Sequence, residues 1–183
     1  MGQASLSIRP VEERDLDEVS ELLCRCYEWL GIREQYNREQ VQFLLEQRGS
    51  LEVVRRESAE QRYFAACLGE TIVGLVTILD NEITKLYVDP AHHRQGIGAM
   101  LLGLAERLIA EQGFGDVLLG TTPGSAPFYL AMGMSIAERK KSRTGVFHDR
   151  EVLMMRRDIA PDRARDTTPA RDTTPTRDSG SNR

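Results

Sequence analysis

Read for the spacing of its apolar residues, the chain changes period several times before position 160. "LSIRPV" (Leu6–Val11) alternates apolar and polar residues and predicts a short strand. "EERDLDEVSELLCRCYEWL" then places Leu16, Val19, Leu22, Leu23 and Cys26 at helical spacing, with acidic residues crowding the first turn where the helix dipole favours them. "NREQVQFLLEQ" predicts a second helix with Asn37 as its N-cap. Three strand-like runs follow, "RYFAACL", "TIVGLVTIL" and "EITKLYV", joined by turns at "LGET" and at Asp80–Asn81, so an antiparallel meander is expected. "GAMLLGLAERLIAEQG" is an amphipathic helix stopped by Gly113. "DVLLGTT" is another strand, and "SAPFYLAMG" is a short helix with Pro127 in its first turn. The remainder, to Ile159, supplies one or two more strands. This order defines a mixed α/β fold: a six- to seven-stranded sheet flanked by about four helices, antiparallel in front, with one parallel joint where a crossover helix connects two strands.

The third meander strand breaks its own pattern. Ile83 is out of phase with Leu86 and Val88. Either both faces of the strand are covered or a β-bulge shifts the phase, and covered faces are the expectation because helices flank the strand in sequence.

Composition changes abruptly near Pro161. "RDTTPARDTTPTRDSGSNR" repeats a six-residue unit and holds no large apolar side chain, so residues 161–183 are expected to be a disordered tail behind a folded domain spanning residues 1–160. The whole chain of 183 residues carries a formal charge of −4, and the tail is +1, leaving −5 on the domain. That balance argues against a nucleic-acid partner. No apolar run is long enough for a membrane span, and the N-terminus lacks a signal-peptide core. Three cysteines, Cys24, Cys26 and Cys67, fit reduced thiols in a cytoplasmic protein, and Cys24 and Cys26, two apart in a helix-like segment, face different ways and make a poor metal pair.

The chemistry concentrates in "LYVDPAHHRQGIGAMLL". Gly96 and Gly98 stand between a strand end and a helix start, where bare backbone lets amides turn outward toward a ligand. The first amides of a helix lack intrahelical partners and sit at the positive end of its dipole, which suits a phosphate or pyrophosphate. Arg94 adds positive charge. No Gly-Lys-Ser/Thr follows, which excludes a P-loop. Leu101 occupies the place of the third glycine of G-x-G-x-x-G, which excludes the dinucleotide fingerprint.

This stretch resembles the acetyl-coenzyme A site of the GCN5-related N-acetyltransferases, whose loop reads R/Q-x-x-G-x-G/A, with His93 here in the R/Q position. Downstream, "APFYLAMGM" is similar to the family's F-Y-E-K-x-G-F element, with Tyr129 as the tyrosine and Met134 in place of the last phenylalanine. The resemblance spans roughly Leu6 to Ile159. It implies two parallel strands splayed apart, with Leu86, Tyr87 and Val88 offering backbone to the pantetheine arm. It also implies that His93, Arg94, Gln95, Gly96, Ile97, Gly98 and Ala99 cradle the pyrophosphate through their amides. Acetyl-coenzyme A is then the cosubstrate, and no metal is implied.

Acetyl transfer from a thioester to an amine needs a base, an oxyanion donor and an acid for the departing thiolate. By family analogy the Val88 amide is the oxyanion donor. Tyr129, a phenol protonated at neutral pH, is the acid. Glu82, four residues before Leu86, is the candidate base, with ordered water as its alternative; it also directly follows a turn, where exposed charge is common. His92–His93 and His148–Asp149 are sequence neighbours that point apart and carry no metal or catalytic assignment. Trp29, Tyr27 and Tyr36 fall where the family builds its acceptor pocket, although core packing is the better reading for Trp29. The expected activity is direct transfer of acetyl to a primary amine of a small molecule. Its rivals are a protein or peptide lysine or N-terminal acetyltransferase, and a coenzyme A-binding module without catalysis. Dimers are frequent in the family, so a homodimer is compatible with the resemblance.

Overall fold

The computed structural model describes residues 5–143 and 145–159, so the tail expected over 161–183 lies outside the described residues. The elements run β1 (Leu6–Pro10), α1 (Leu16–Arg33), α2 (Arg38–Leu44), α3 (Leu51–Ser58), β2 (Arg62–Leu68), β3 (Thr71–Leu79), β4 (Glu82–Val88), α4 (Ile97–Glu111), β5 (Asp116–Thr121), α5 (Ala126–Ala131), β6 (Ser135–Lys141) and β7 (Glu151–Asp158). One seven-stranded sheet orders them β1-β2-β3-β4-β5-β7-β6. Neighbours are antiparallel except β4 and β5, which are parallel. Two apolar clusters lie on opposite faces of this sheet. One packs Ile97, Leu101, Ala105 and Ile109 of α4 against Val76, Ile78, Ile83, Val117 and Leu119. The other packs Leu16, Val19, Leu22, Leu23 and Tyr27 of α1, with Val54 of α3, against Ala65, Ile72 and Leu75.

Local chemistry accounts for the helix starts. The Asn37 side chain accepts from the Gln40 amide at 2.9 Å and the Gln40 side chain returns a bond to the Asn37 amide at 3.1 Å, a reciprocal capping box. Ahead of α1, Asp15 accepts from the Arg9 guanidinium at 2.6 and 2.9 Å and from the Glu12 amide at 2.8 Å. Arg9, despite the cost of burial, holds the Asp15 carboxyl down at about 2. This partly buried pair joins β1 to the start of α1.

Helix α3 was not expected. Its sequence, "LEVVRRES", is short and mostly charged, and its core contribution rests on Val53 and Val54. A π turn over Leu45–Gly49 separates it from α2.

The phase break in β4 is a bulge, which corrects the expectation that covered faces alone explain it. Leu79 opposes Glu82 and Ile78 opposes Ile83, but Thr77 opposes Lys85, so Thr84 is the extra residue. Ile83, Leu86 and Val88 thereby share the α4 face, while Tyr87 joins the α1 face. At the far rim β6 is an edge strand, exposed along most of its length and carrying Arg139, Lys140 and Lys141.

Candidate functional site

Strands β4 and β5 meet only at one end. Their register is confined to Glu82 opposite Leu118, reinforced by the Leu118 amide donating to Asn81 O at 3.0 Å and by Asn81 Nδ2 donating to Asp116 at 2.8 Å. Beyond this closed end the strands diverge into a V.

The β3 ladder decides what β4 offers to that V. The Asp89 amide donates to Val73 O at 2.9 Å, and residues of an antiparallel pair bond to their neighbour alternately. Lys85 and Tyr87 therefore direct their main-chain groups at β3, and Leu86 and Val88 direct theirs into the V. This revises the expectation for Tyr87: its backbone belongs to the ladder, and its ring crosses to the α1 face, edge-on to Tyr27 at 5.2 Å. Burial, offset in part by a hydrogen bond from Tyr27, pushes the Tyr87 phenol up to about 12.

The Val88 carbonyl is occupied. His93 Nε2 lies 2.9 Å from it and the Cys26 thiol 3.5 Å. A carbonyl only accepts, so Nε2 carries the proton. The His93 ring is also edge-on to Trp29 at 4.7 Å. The side chain of His93 thus braces the tip of β4 against α1, a role that sequence reading, concerned with its amide, did not anticipate.

The turn into α4 has the geometry of an anion nest. Arg94 and Gly96 both have positive φ, at 66° and 80°, and a Cβ on Gly96 would meet open space. Such alternation turns successive amides to one side. Arg94, Gln95 and Gly96 are exposed, and Ile97 is buried in the core, fixing the start of the helix. Ala99 follows in the first turn of α4. Gly98 has a second reason to be glycine, because a Cβ there would lie 3.3 Å from Phe128 Cζ. Phe128 of α5 roofs the nest, and its place next to Tyr129 in the sequence was the available clue.

Tyr129 is only 7% exposed, with its ring edge-on to Phe128 at 5.0 Å. Burial, with a smaller contribution from Tyr87, raises its phenol well above the usual value, so it is protonated throughout the physiological range. Glu82 is exposed at the closed end of the V, six residues from Val88 along the strand. The structure therefore gathers Leu86, Val88, the α4 nest and Tyr129 at the open end and leaves Glu82 at the other.

On the α1 side, long-range contacts build a wall. Arg150 donates to the carbonyls of Glu34 and Gln35 at 3.2 and 3.1 Å and to Gln40 Oε1 at 3.3 Å, and it lies over the Tyr36 ring at 5.1 Å. Gln40 Nε2 donates to Val146 O at 2.8 Å, and Phe147 meets both Tyr36 and Phe43. Glu34 accepts from Thr122 at 2.9 Å, and Arg33 donates to Gly124 O. None of Arg150, Glu34 and Thr122 was singled out from the sequence, since their partners lie 88 or more residues away.

Free main chain beside an amide nest is an arrangement suited to an extended ligand that carries phosphate. The family model described as Acetyltransferase (GNAT) family matches residues 16–134, and the chain belongs to that family, acetyltransferases whose acetyl donor is acetyl-coenzyme A. Solved structures agree on the fold. A GCN5-related N-acetyltransferase from Rhodopseudomonas palustris superposes with a TM-score of 0.77 at 18% identity, covering 87% of this chain and 99% of that one. An aminoglycoside 6'-N-acetyltransferase complexed with coenzyme A gives 0.60 at 18% identity, covering 85% and 98%. The ribosomal-protein-S18-alanine N-acetyltransferase from Escherichia coli gives 0.60 at 16%, covering 85% and 95%. No curated protein matches the sequence. Among the described residues no helix is long and apolar enough to cross a membrane.

Proposed function

We propose that this enzyme transfers acetyl from acetyl-coenzyme A to a primary amine of a small molecule by direct attack. The observation that carries the reading is the convergence of three unlike groups at the open end of the V: outward main chain at Leu86 and Val88, the amide nest of His93 to Ala99, and a buried, protonated Tyr129. In this reading Leu86 adds the pantetheine arm to the sheet as an extra strand, the Val88 carbonyl being held by His93 and Cys26. The Val88 amide donates to the developing oxyanion, and Tyr129 protonates the departing thiolate. The small-molecule acceptor is supported by the wall on the α1 side, where Arg150 pins the α1–α2 turn to the β6–β7 connection. The neighbouring folds serve an aminoglycoside in one case and a ribosomal protein in another, so fold alone does not choose between them.

Glu82 fits less well as the direct base. A strand rises about 3.3 Å per residue, which separates it from Val88 by well over 10 Å. Water bridging to the amine is the better candidate. Glu82→Gln is expected to leave the pH profile of activity unchanged, and a flattened profile would restore Glu82 to the mechanism. The reading itself is tested by thiol release from acetyl-coenzyme A across a panel of polyamines, aminoglycosides and lysine peptides. Release with small amines, lost in Tyr129→Phe, supports it. Release confined to peptides points to a protein acceptor, and tight cofactor binding without release on any amine points to a binding module.

A further inference from the structure

Strand β4 has two ways to lie against β3, and they differ in which residues face the cofactor. Next to the hairpin, Ile78 opposes Ile83; past Thr84 the pairing moves by one residue, and Val76 opposes Leu86. Continued without the bulge, the hairpin register would set Leu86 against Leu75 and Val88 against Val73. Those β3 positions direct their main-chain groups at β4, as the bond from the Asp89 amide to Val73 O shows. Leu86 and Val88 would then spend their amides on β3, and the V would receive Tyr87 in their place. The same slip would carry Lys85 onto the face of Ile83, in the apolar cluster beneath α4.

Side chains from outside β4 hold the bulged alternative. Lys85, only 5% exposed in its side chain, is ion-paired with Glu57 of α3, and the Tyr63 hydroxyl donates to the same carboxylate at 3.3 Å. The extra residue, Thr84, is fixed by Thr77 Oγ1 and by Gln61 Oε1, each at 2.6 Å. A buried ion pair adds little stability, because desolvation offsets much of its attraction and apolar replacements are often equally stable. What such a pair can determine is register.

We propose that the Lys85–Glu57 ion pair is a positioning device that locks β4 in the bulged register and so keeps the main-chain groups of Leu86 and the amide of Val88 turned toward acetyl-coenzyme A. Neither residue touches the cofactor. The inference rests on the strand-addition reading of cofactor binding given above, and its test separates the two. In the full chain, Lys85→Leu combined with Glu57→Leu removes both charges and leaves a side chain at ease on either face. The swapped pair, Lys85→Glu with Glu57→Lys, restores an ion pair in the same place. Amide hydrogen exchange followed by NMR needs no ligand, and calorimetry with coenzyme A reads the groove.

In the wild type the Leu86 and Val88 amides are expected to exchange quickly while Lys85 and Tyr87 are protected. In the double-leucine variant that order reverses, coenzyme A binds about ten-fold more weakly or worse, and the melting temperature is unchanged or higher. The swap restores the wild-type exchange order and the affinity. A double-leucine variant with the wild-type exchange order overturns the lock, as does a folded swap that fails to restore it. Should the double-leucine chain not fold, Glu57→Gln, which leaves Lys85 a neutral partner, is read by the same exchange order. A wild-type chain with exposed Leu86 and Val88 amides that takes up no coenzyme A overturns the cofactor reading and leaves the lock standing.

Discussion

The two sides of the V are built from different materials. On the α4 side the site is made of backbone: the outward amides of β4, the nest at Arg94 and Gly96, and the first turn of α4. On the α1 side it is made of side chains that reach across the chain, Arg150 to the α1–α2 turn, Glu34 to Thr122 and Gln40 to Val146. On the proposed reading, backbone serves what every donor molecule has in common, an extended arm and a pyrophosphate. Side chains are free to differ, and in that reading they surround the acceptor. The proposed division of labour in the reaction follows this division of materials.

Four substitutions break or sharpen that contrast. The largest effect is expected at Tyr129, which packs in the apolar cluster on the α4 side. Tyr129→Phe removes the acid and leaves the ring, so kcat should fall about 100-fold with little change in coenzyme A affinity. A kcat within a few-fold of wild type would reassign the acid. Next, Asp15 tests whether stability resides on the α1 side. Its carboxyl is depressed to about 2 by Arg9, so this contribution is complete above pH 4 and lost as the pH falls toward 2. Asp15→Asn should cost about 2 kcal/mol at neutral pH and flatten the acid limb of stability, measured by urea unfolding across pH.

On the α4 side, Gly98→Val drives a side chain into Phe128 and the nest. Coenzyme A affinity should drop about ten-fold by calorimetry, at a cost in stability of about 1 kcal/mol. Arg150→Ala is the mildest and the most selective. Freeing the α1–α2 turn should raise the KM for the amine several-fold and leave the KM for acetyl-coenzyme A unchanged. If both rise together, the two sides are not independent.

The same contrast explains what could be read from the sequence. The meander, the crossover helix and the F-Y-x-x-x-G helix are local patterns: apolar period, a tight turn at Asp80–Asn81, a capping box at Asn37. The nest was equally local, because glycines at a strand–helix joint mark themselves. The wall was not legible, since Arg150 is an ordinary arginine until the fold brings Gln35 to it. Helix α3 was missed because two valines among charges carry almost no periodic signal. The bulge left a trace, the phase of Ile83, but its cause lies in Gln61 and Glu57, which no pattern within β4 encodes. For the same reason Tyr87 was grouped with its neighbours although the ladder had already claimed its backbone.

The outer strand β6 has a consequence for the sheet as a whole. An edge presents a row of unsatisfied main-chain groups and invites further strands, so a sheet of seven can in principle keep growing. Here one rim carries Arg139, Lys140 and Lys141, and the other, β1, ends in Pro10, which has no N–H to give. On the proposed reading the donor is recruited by adding a strand, and that offer must be made at one address. The sheet's rims discourage the additions that its middle is shaped to accept.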